Sequence, residues 1–228
     1  MENLILLHGA AGAASQLQQL KEKLSSDYKV FNPDFPGHGK AEMPLNFSID
    51  FFADFLLEYC RDNGISKASV FGYSMGGYVA LRAQWRHKNL FKKIITLGTK
   101  FYWDEETAAK EIKKLQPSII SEKLPAFAAA LQNLHAPGDW KEVLGKTASM
   151  LKELGKENLL NDDALSAIDI PCLVMLGDRD KMVSMDKTLH AYSHLKNAQL
   201  AILPSTPHPI EQVDFNLLEF MIRRFLPN

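Results

Sequence analysis

The segment Ala68–Gly77, ASVFGYSMGG, constrains this chain more than any other. Ala68–Phe71 reads as a buried strand, and the pattern from Met75 to Arg86 is helical. Between them stands Gly72-Tyr73-Ser74-Met75-Gly76-Gly77. A strand that passes into a helix at one residue has to turn sharply. Gly72 and Gly76 flank that residue because a Cβ at either would collide in so tight a turn. The turn sets Ser74 Oγ at the carboxyl edge of a sheet, with the next backbone N–H groups at the positive end of a helix dipole. A G-x-S-x-G pattern alone also occurs as an ordinary Gly-rich turn; the strand before it and the helix after it make Ser74 a candidate nucleophile.

The rest of the chain has the rhythm that such a turn needs. Short apolar runs at Leu4–Leu7, Lys29–Phe31, Ala68–Phe71, Ile94–Leu97, Cys172–Leu176 and Gln199–Leu203 each end in Gly, Pro or Asn-Pro. Runs without polar alternation suit strands buried on both faces, as in a parallel sheet. Helical patterns separate them at Gln16–Leu24, Phe51–Asn63 (with Ser48 as N-cap and Gly64 as stop), Met75–Arg86, Met185–His194 and Phe215–Phe225. This alternation predicts an α/β, doubly wound, mainly parallel sheet of about six strands. One connection breaks the rhythm. Thr99 to Ile168, about 70 residues with helical stretches separated by Pro117, Pro125 and Pro137-Gly138, is far longer than a structural crossover needs.

A serine hydroxyl is inert near neutral pH without a base, and the base needs an orienting carboxylate. His208, in the loop after the sixth strand, falls at the same sheet edge as Ser74. His87, His190 and His194 lie in helices, and His135 lies in the long insertion, where it either lines a pocket or caps a helix. The fifth strand ends in Gly177-Asp178-Arg179-Asp180, and Asp180 is the expected partner of His208. Asp178 is assigned to bracing the loop through Arg179 or a backbone N–H.

Length and composition narrow the partners. The chain has 228 residues and is 46% hydrophobic, enough for one domain with an insertion. Its formal net charge is −1, from 26 basic and 27 acidic side chains, so no basic excess favours nucleic acid. The apolar run near the N-terminus is four residues with an acidic neighbour, short of a signal peptide, and no run approaches the ~18 residues of a membrane span. A cytoplasmic location is expected. Cys60 and Cys172 read as reduced core thiols. No phosphate loop, dinucleotide motif or metal-ligand spacing is apparent, so neither cofactor nor metal is expected.

Four motifs together resemble the α/β-hydrolase superfamily over essentially the whole chain. They are His8-Gly9-Ala10 after the first strand, Asp34-Phe35-Pro36-Gly37-His38-Gly39 after the second, Gly72–Gly77, and Asp180 with His208. The order Ser74, Asp180, His208 is that of the family. The resemblance implies an oxyanion hole from the N–H groups of Ala10 and Met75, with His8 and His38 shaping turns. It also implies a core of residues 1–98 and 169–228 and a helical lid of residues 99–168. Two strands that usually precede the His-Gly motif have no counterpart in this sequence, which leaves the second strand as an exposed edge. Tyr73, Trp103, Phe127, Leu131 and Trp140, with Phe101, Tyr102, Met150 and Leu151, are candidates to line an apolar substrate pocket. The Lys and Glu residues at 110–114 and 141–156 are expected on solvated helix faces.

The implied reaction is hydrolysis of a small carboxylic ester, or a related acyl compound, through an acyl-enzyme. Lyase, carbon–carbon hydrolase and cofactor-free perhydrolase chemistry are alternatives on the same scaffold. A binding protein that keeps the fold without turnover is the alternative of another class. The expected partner is a small acyl substrate, with the chain a monomer or a homodimer.

Overall fold

The computed structural model describes residues 1–226. Its frame is one sheet of six parallel strands in the order β2-β1-β3-β4-β5-β6. The strands are β1 (Glu2–Leu7), β2 (Tyr28–Phe31), β3 (Ala68–Tyr73), β4 (Phe91–Leu97), β5 (Cys172–Gly177) and β6 (Ala198–Leu203). The crossover helices are α1 (Gln18–Leu24), α2 (Ile49–Asp62) and α3 (Met75–Arg86). Between β4 and β5 stand α4 (Glu105–Ile112), α5 (Pro117–Lys123), α6 (Pro125–His135), α7 (Trp140–Lys156) and α8 (Asp162–Ser166); α9 (Met185–His194) and α10 (Phe215–Phe225) follow β5 and β6.

Parallel strands need crossovers, and crossovers cover both faces of the sheet. The side chains sort accordingly. Ile5, Leu7, Val70, Ile94 and Val174 point into a core shared with Phe52 and Leu56 of α2. Leu4, Leu6, Phe71, Ile95 and Leu173 point the other way, toward Leu20 and Leu24 of α1 and Leu218 and Ile222 of α10. The unbroken apolar runs of the sequence are therefore two interleaved sets facing opposite layers.

Most expected elements stand where the pattern put them, with shifts at the ends. Ser48 caps α2 by accepting from the Phe51 N–H at 3.0 Å, and Gly64, at φ 61°, follows its end. β4 begins at Phe91, three residues before its apolar run, where it pairs with Ala68 of β3; Lys93 Nζ lies over the Phe225 ring and donates to the Phe225 carbonyl at 3.0 Å. Pro117 and Pro125 open α5 and α6 at their first turns, where a missing N–H costs nothing, and so begin helices as well as separating them. β2 is an edge strand of four residues followed by Pro33. Cys60 and Cys172 are both buried and free. No helix among the described residues is long and apolar enough to cross a membrane.

The turn from β3 to α3 positions the site. Ser74 has φ 51° and ψ −115°, a conformation that L-residues rarely hold. It is held from both sides. The Ser74 N–H donates to the Leu97 carbonyl of β4 at 2.8 Å, and Thr99 Oγ1 donates to the Ser74 carbonyl at 3.0 Å. A Cβ on Gly72 would stand 2.3 Å from the Gly77 nitrogen, and one on Gly76 would stand 2.6 Å from the Leu7 carbonyl oxygen. Both obstacles are backbone of the central sheet and its helix, which cannot swing aside. Replacing Gly76 by Ala is therefore expected to cost about 3 kcal/mol in urea unfolding. Gly145→Ala in α7, where an added Cβ meets nothing within 4 Å, is expected to stabilise by up to about 1 kcal/mol. Equal effects of the two substitutions would contradict this account.

Candidate active site

A cavity of about 660 Å³ lies between the carboxyl edge of the sheet and the inserted helices. Ser74 and His208 border it together with Ala10 and Met75. The opposite wall comes from the insertion, with Trp103, Phe127, Leu131, Met150 and Leu151. The inserted side is thus mainly apolar, with Lys100, Glu111 and Lys114 as its charged members, and the side where the strands end is polar.

His208 and Asp180 meet through two loops that are bonded to each other. Asp178 accepts from the Thr206 N–H at 3.2 Å, and the Arg179 N–H donates to the Thr206 carbonyl at 3.1 Å. Asp178 also lies 3.7 Å from the Arg179 guanidinium. Asp180, two residues on, points the other way and receives the His208 Nδ1–H at Oδ2, 2.7 Å. Its second oxygen, Oδ1, accepts from the N–H groups of Met182 and Val183 at 2.8 and 2.9 Å. Burial alone would raise the Asp180 pKa, but the hydrogen bond and charge of His208 and the two amides outweigh it and hold the carboxyl below its ordinary value. With Nδ1–H committed to Asp180, Nε2 of a neutral His208 is the free basic nitrogen. Tyr73 closes the back of the site by donating to the His208 carbonyl at 2.9 Å.

The turn after β1 carries Ala10 and is fixed by histidines. The Phe35 N–H donates to His8 Nε2 at 3.0 Å, so Nδ1 bears the ring hydrogen and donates to the Gly9 carbonyl at 2.8 Å. Burial pushes the His8 pKa down to about 4, and the charge of His135 adds to this while the bond to Gly9 opposes it. His38, stacked on Phe47, is also held well below its ordinary value, first by burial and then by the charge of His8. His135, at the end of α6, neither lines the cavity nor simply caps its helix. It accepts from the Gly39 N–H at Nδ1 and donates from Nε2 to the Ala11 carbonyl, both at 3.0 Å. It thereby ties the insertion to the two turns beneath it.

The structure brings Ser74, Asp180, His208, Ala10 and Met75 to one edge, and Tyr73, Trp103, Phe127 and Leu131 to the walls of one cavity. Trp140 is not in that wall. It packs with Ile120, Leu131 and Leu144 where α5, α6 and α7 meet, so an aromatic residue expected at the pocket is part of the insertion's own core. Phe101 likewise belongs to the main core. Glu111 departs from the expected solvated face. It is buried in the cavity wall, with Lys100 Nζ at 2.6 Å and Lys114 Nζ at 3.0 Å. Burial acts to raise its pKa, but the two ammonium groups prevail and hold it low. The charge run at 110–114 could not show this, because the deciding partner, Lys100, sits on another segment. Thr99, the first residue of the segment expected as a lid, braces the Ser74 carbonyl with its hydroxyl.

Residues 2–136 match the family model for the alpha/beta hydrolase fold, and the chain belongs to that family. Among its relatives is the pimeloyl-[acyl-carrier protein] methyl ester esterase of Neisseria meningitidis serogroup C, 25% identical over 230 residues, covering 91% of this chain and 87% of that protein. A thermophilic esterase from Thermogutta terrifontis has the same fold, with a TM-score of 0.81 at 20% identity, covering 99% of this chain and 89% of that one. An esterase from Exiguobacterium antarcticum superposes with a TM-score of 0.83 at 17% identity, covering 100% and 92%.

The lowered His8 and His38 values have a consequence for stability. Their folded pKa values lie below the ordinary unfolded value near 6.5, so between those limits the unfolded chain binds more protons. Stability is fully present above about pH 6.5 and is lost as pH falls toward 4. His8 alone should remove about 2 kcal/mol by pH 5. A thermal melt series from pH 7 to 5 should show Tm falling steadily; a flat profile would show that these rings accept protons without cost.

Proposed function

We propose that the protein is a serine esterase that hydrolyses a small carboxylic ester through an acyl-enzyme. The observation that carries this reading is the bonded pair His208 Nδ1–Asp180 Oδ2, 2.7 Å, bordering the same cavity as Ser74 on its constrained turn. His208 Nε2 takes the proton from Ser74 Oγ as the oxygen attacks the substrate carbonyl. Asp180, ionised and buried, fixes the tautomer and stabilises the imidazolium. The N–H groups of Ala10 and Met75 receive the oxyanion, the latter from the first turn of α3 where the amide has no intrahelical partner. His208 then protonates the departing alkoxide, and water repeats the sequence on the acyl-enzyme to release the acid.

The mainly apolar insertion wall suits an aliphatic or aromatic acyl group, with the Lys100, Glu111 and Lys114 cluster as the charged part of the lining. In this reading the insertion serves as the lid of the cavity, and Thr99 belongs with the core beneath it. The substrate is a small molecule, and the site is complete within one chain. A relative named as a methyl ester esterase supports an ester as the bond cleaved.

A fluorophosphonate probe should label the protein once, at Ser74, and the Ser74→Ala variant should take up none and hydrolyse no p-nitrophenyl ester. Asp180→Asn should keep the fold and lower kcat by about 10³–10⁴. Ester turnover that survives Ser74→Ala would refute the assignment. Labelling of Ser74 without turnover of any ester would move the chemistry to another acyl or carbon–carbon bond.

A further inference from the structure

A second cluster of chemically able side chains lies away from the cavity, where the last helix of the insertion meets α9. His190 and His194 stand four residues apart on α9, which puts both imidazoles on one face of the helix, with ring centroids 4.4 Å apart. Asp162, the first residue of α8, reaches across to them. Its Oδ1 is 2.8 Å from His190 Nε2 and its Oδ2 is 3.5 Å from His194 Nε2. The three donor atoms all lie within 4.8 Å of one another.

The hydrogen positions on His194 make this arrangement informative. Its Nδ1 lies 2.9 Å from the His190 carbonyl oxygen, which can only accept, so Nδ1 carries the ring hydrogen. In the neutral ring Nε2 is then a bare lone pair, and it faces a carboxylate oxygen that is also only an acceptor. Two acceptors held 3.5 Å apart repel unless a proton or a metal ion stands between them. The His190 carbonyl that fixes this tautomer is the kind of backbone contact that metal-ligating histidines use on their second nitrogen. His194 ends α9, where the helix dipole also favours positive charge.

We propose that Asp162, His190 and His194 form a binding site for a divalent transition metal ion, Zn²⁺ being the best match to two imidazole nitrogens and one carboxylate oxygen. A tetrahedral ion at ~2.0–2.1 Å from each donor needs neighbouring donors about 3.3 Å apart; His190 Nε2 lies 2.8 Å from Oδ1, His194 Nε2 lies 3.5 Å from Oδ2, and all three donors lie within 4.8 Å, so small side-chain shifts bring them to that spacing. Water completes the fourth position, since Asp162 and His190 are exposed. Binding releases to water the proton that His190 Nε2 shares with Asp162, and any proton on His194 Nε2, and no other bond changes. The ion would clip α8, the last helix before β5, to α9, the helix that follows the loop carrying Asp180. This is independent of the esterase reading and does not touch the cavity.

The test is isothermal titration of ZnCl₂ into the full chain carrying no histidine tag, with thermal melts alongside. The expected result is one site of micromolar affinity and a rise in Tm on adding Zn²⁺. His190→Ala and His194→Ala should each weaken binding by at least about tenfold and abolish the rise in Tm. Both side chains are at least partly open to solvent, so metal-free melts of the variants should match the parent and report any misfolding directly. No binding by the parent chain, or binding undiminished in the double variant, would overturn the proposal; the latter would direct attention to His208 and Asp180 instead.

Discussion

The backbone at Ser74 is the constraint from which the rest of the site follows. A residue at φ 51° and ψ −115° costs on the order of 1–3 kcal/mol and persists only when its surroundings leave it no alternative. Here the surroundings are the sheet itself. Ser74 is bonded through its N–H to Leu97 and through its carbonyl to Thr99, both from the β4 segment, while Gly72 and Gly76 let α3 settle against the ends of β3 and β1. The conformation exists because three parallel strands end side by side. The same edge receives the Asp180 and His208 loops and the turn that carries Ala10.

Two buried titratable groups show how that edge is prepared. Asp180 and His8 are both removed from water, and desolvation pushes each toward its neutral form. The outcomes differ because the partners differ. Asp180 collects a ring N–H and two backbone N–H groups and stays ionised. His8 has one backbone donor and one backbone acceptor, which suit a neutral imidazole and nothing else. Near neutral pH one buried group is therefore charged and the other a neutral dipole, and burial together with the partners around each decides which.

The fold was legible because its signals are local. Apolar runs ending in glycine, a Ser48 cap and the G-x-S-x-G turn each lie within a few residues of the structure they specify. The placement of the candidate residues was legible where chain order and strand ends coincide, which puts Ser74, Asp180 and His208 at one edge. It was not legible where burial depends on contacts between distant segments. Trp140 and Phe127 look alike as aromatic residues in a helical insertion, yet one packs between α5, α6 and α7 and the other borders the cavity. Glu111 sits in a charged run that suggests solvent, and is buried because Lys100 approaches it from the end of β4. His190 and His194 show their helical spacing in the sequence, but Asp162 lies 28 residues from His190 and only the fold brings it near.

The insertion leaves the sheet after β4 and returns to it at β5, and these two strands are paired along Ile94–Leu97 and Cys172–Met175. Both ends of the insertion are thus pinned to rigid, neighbouring backbone. Closing a segment between fixed points costs only about 0.6 kcal/mol for each doubling of its length. The insertion can therefore lengthen or shorten between these points at little entropic cost to the sheet that holds Ser74. The length of what covers the cavity is thermodynamically separable from the turn that sets Ser74.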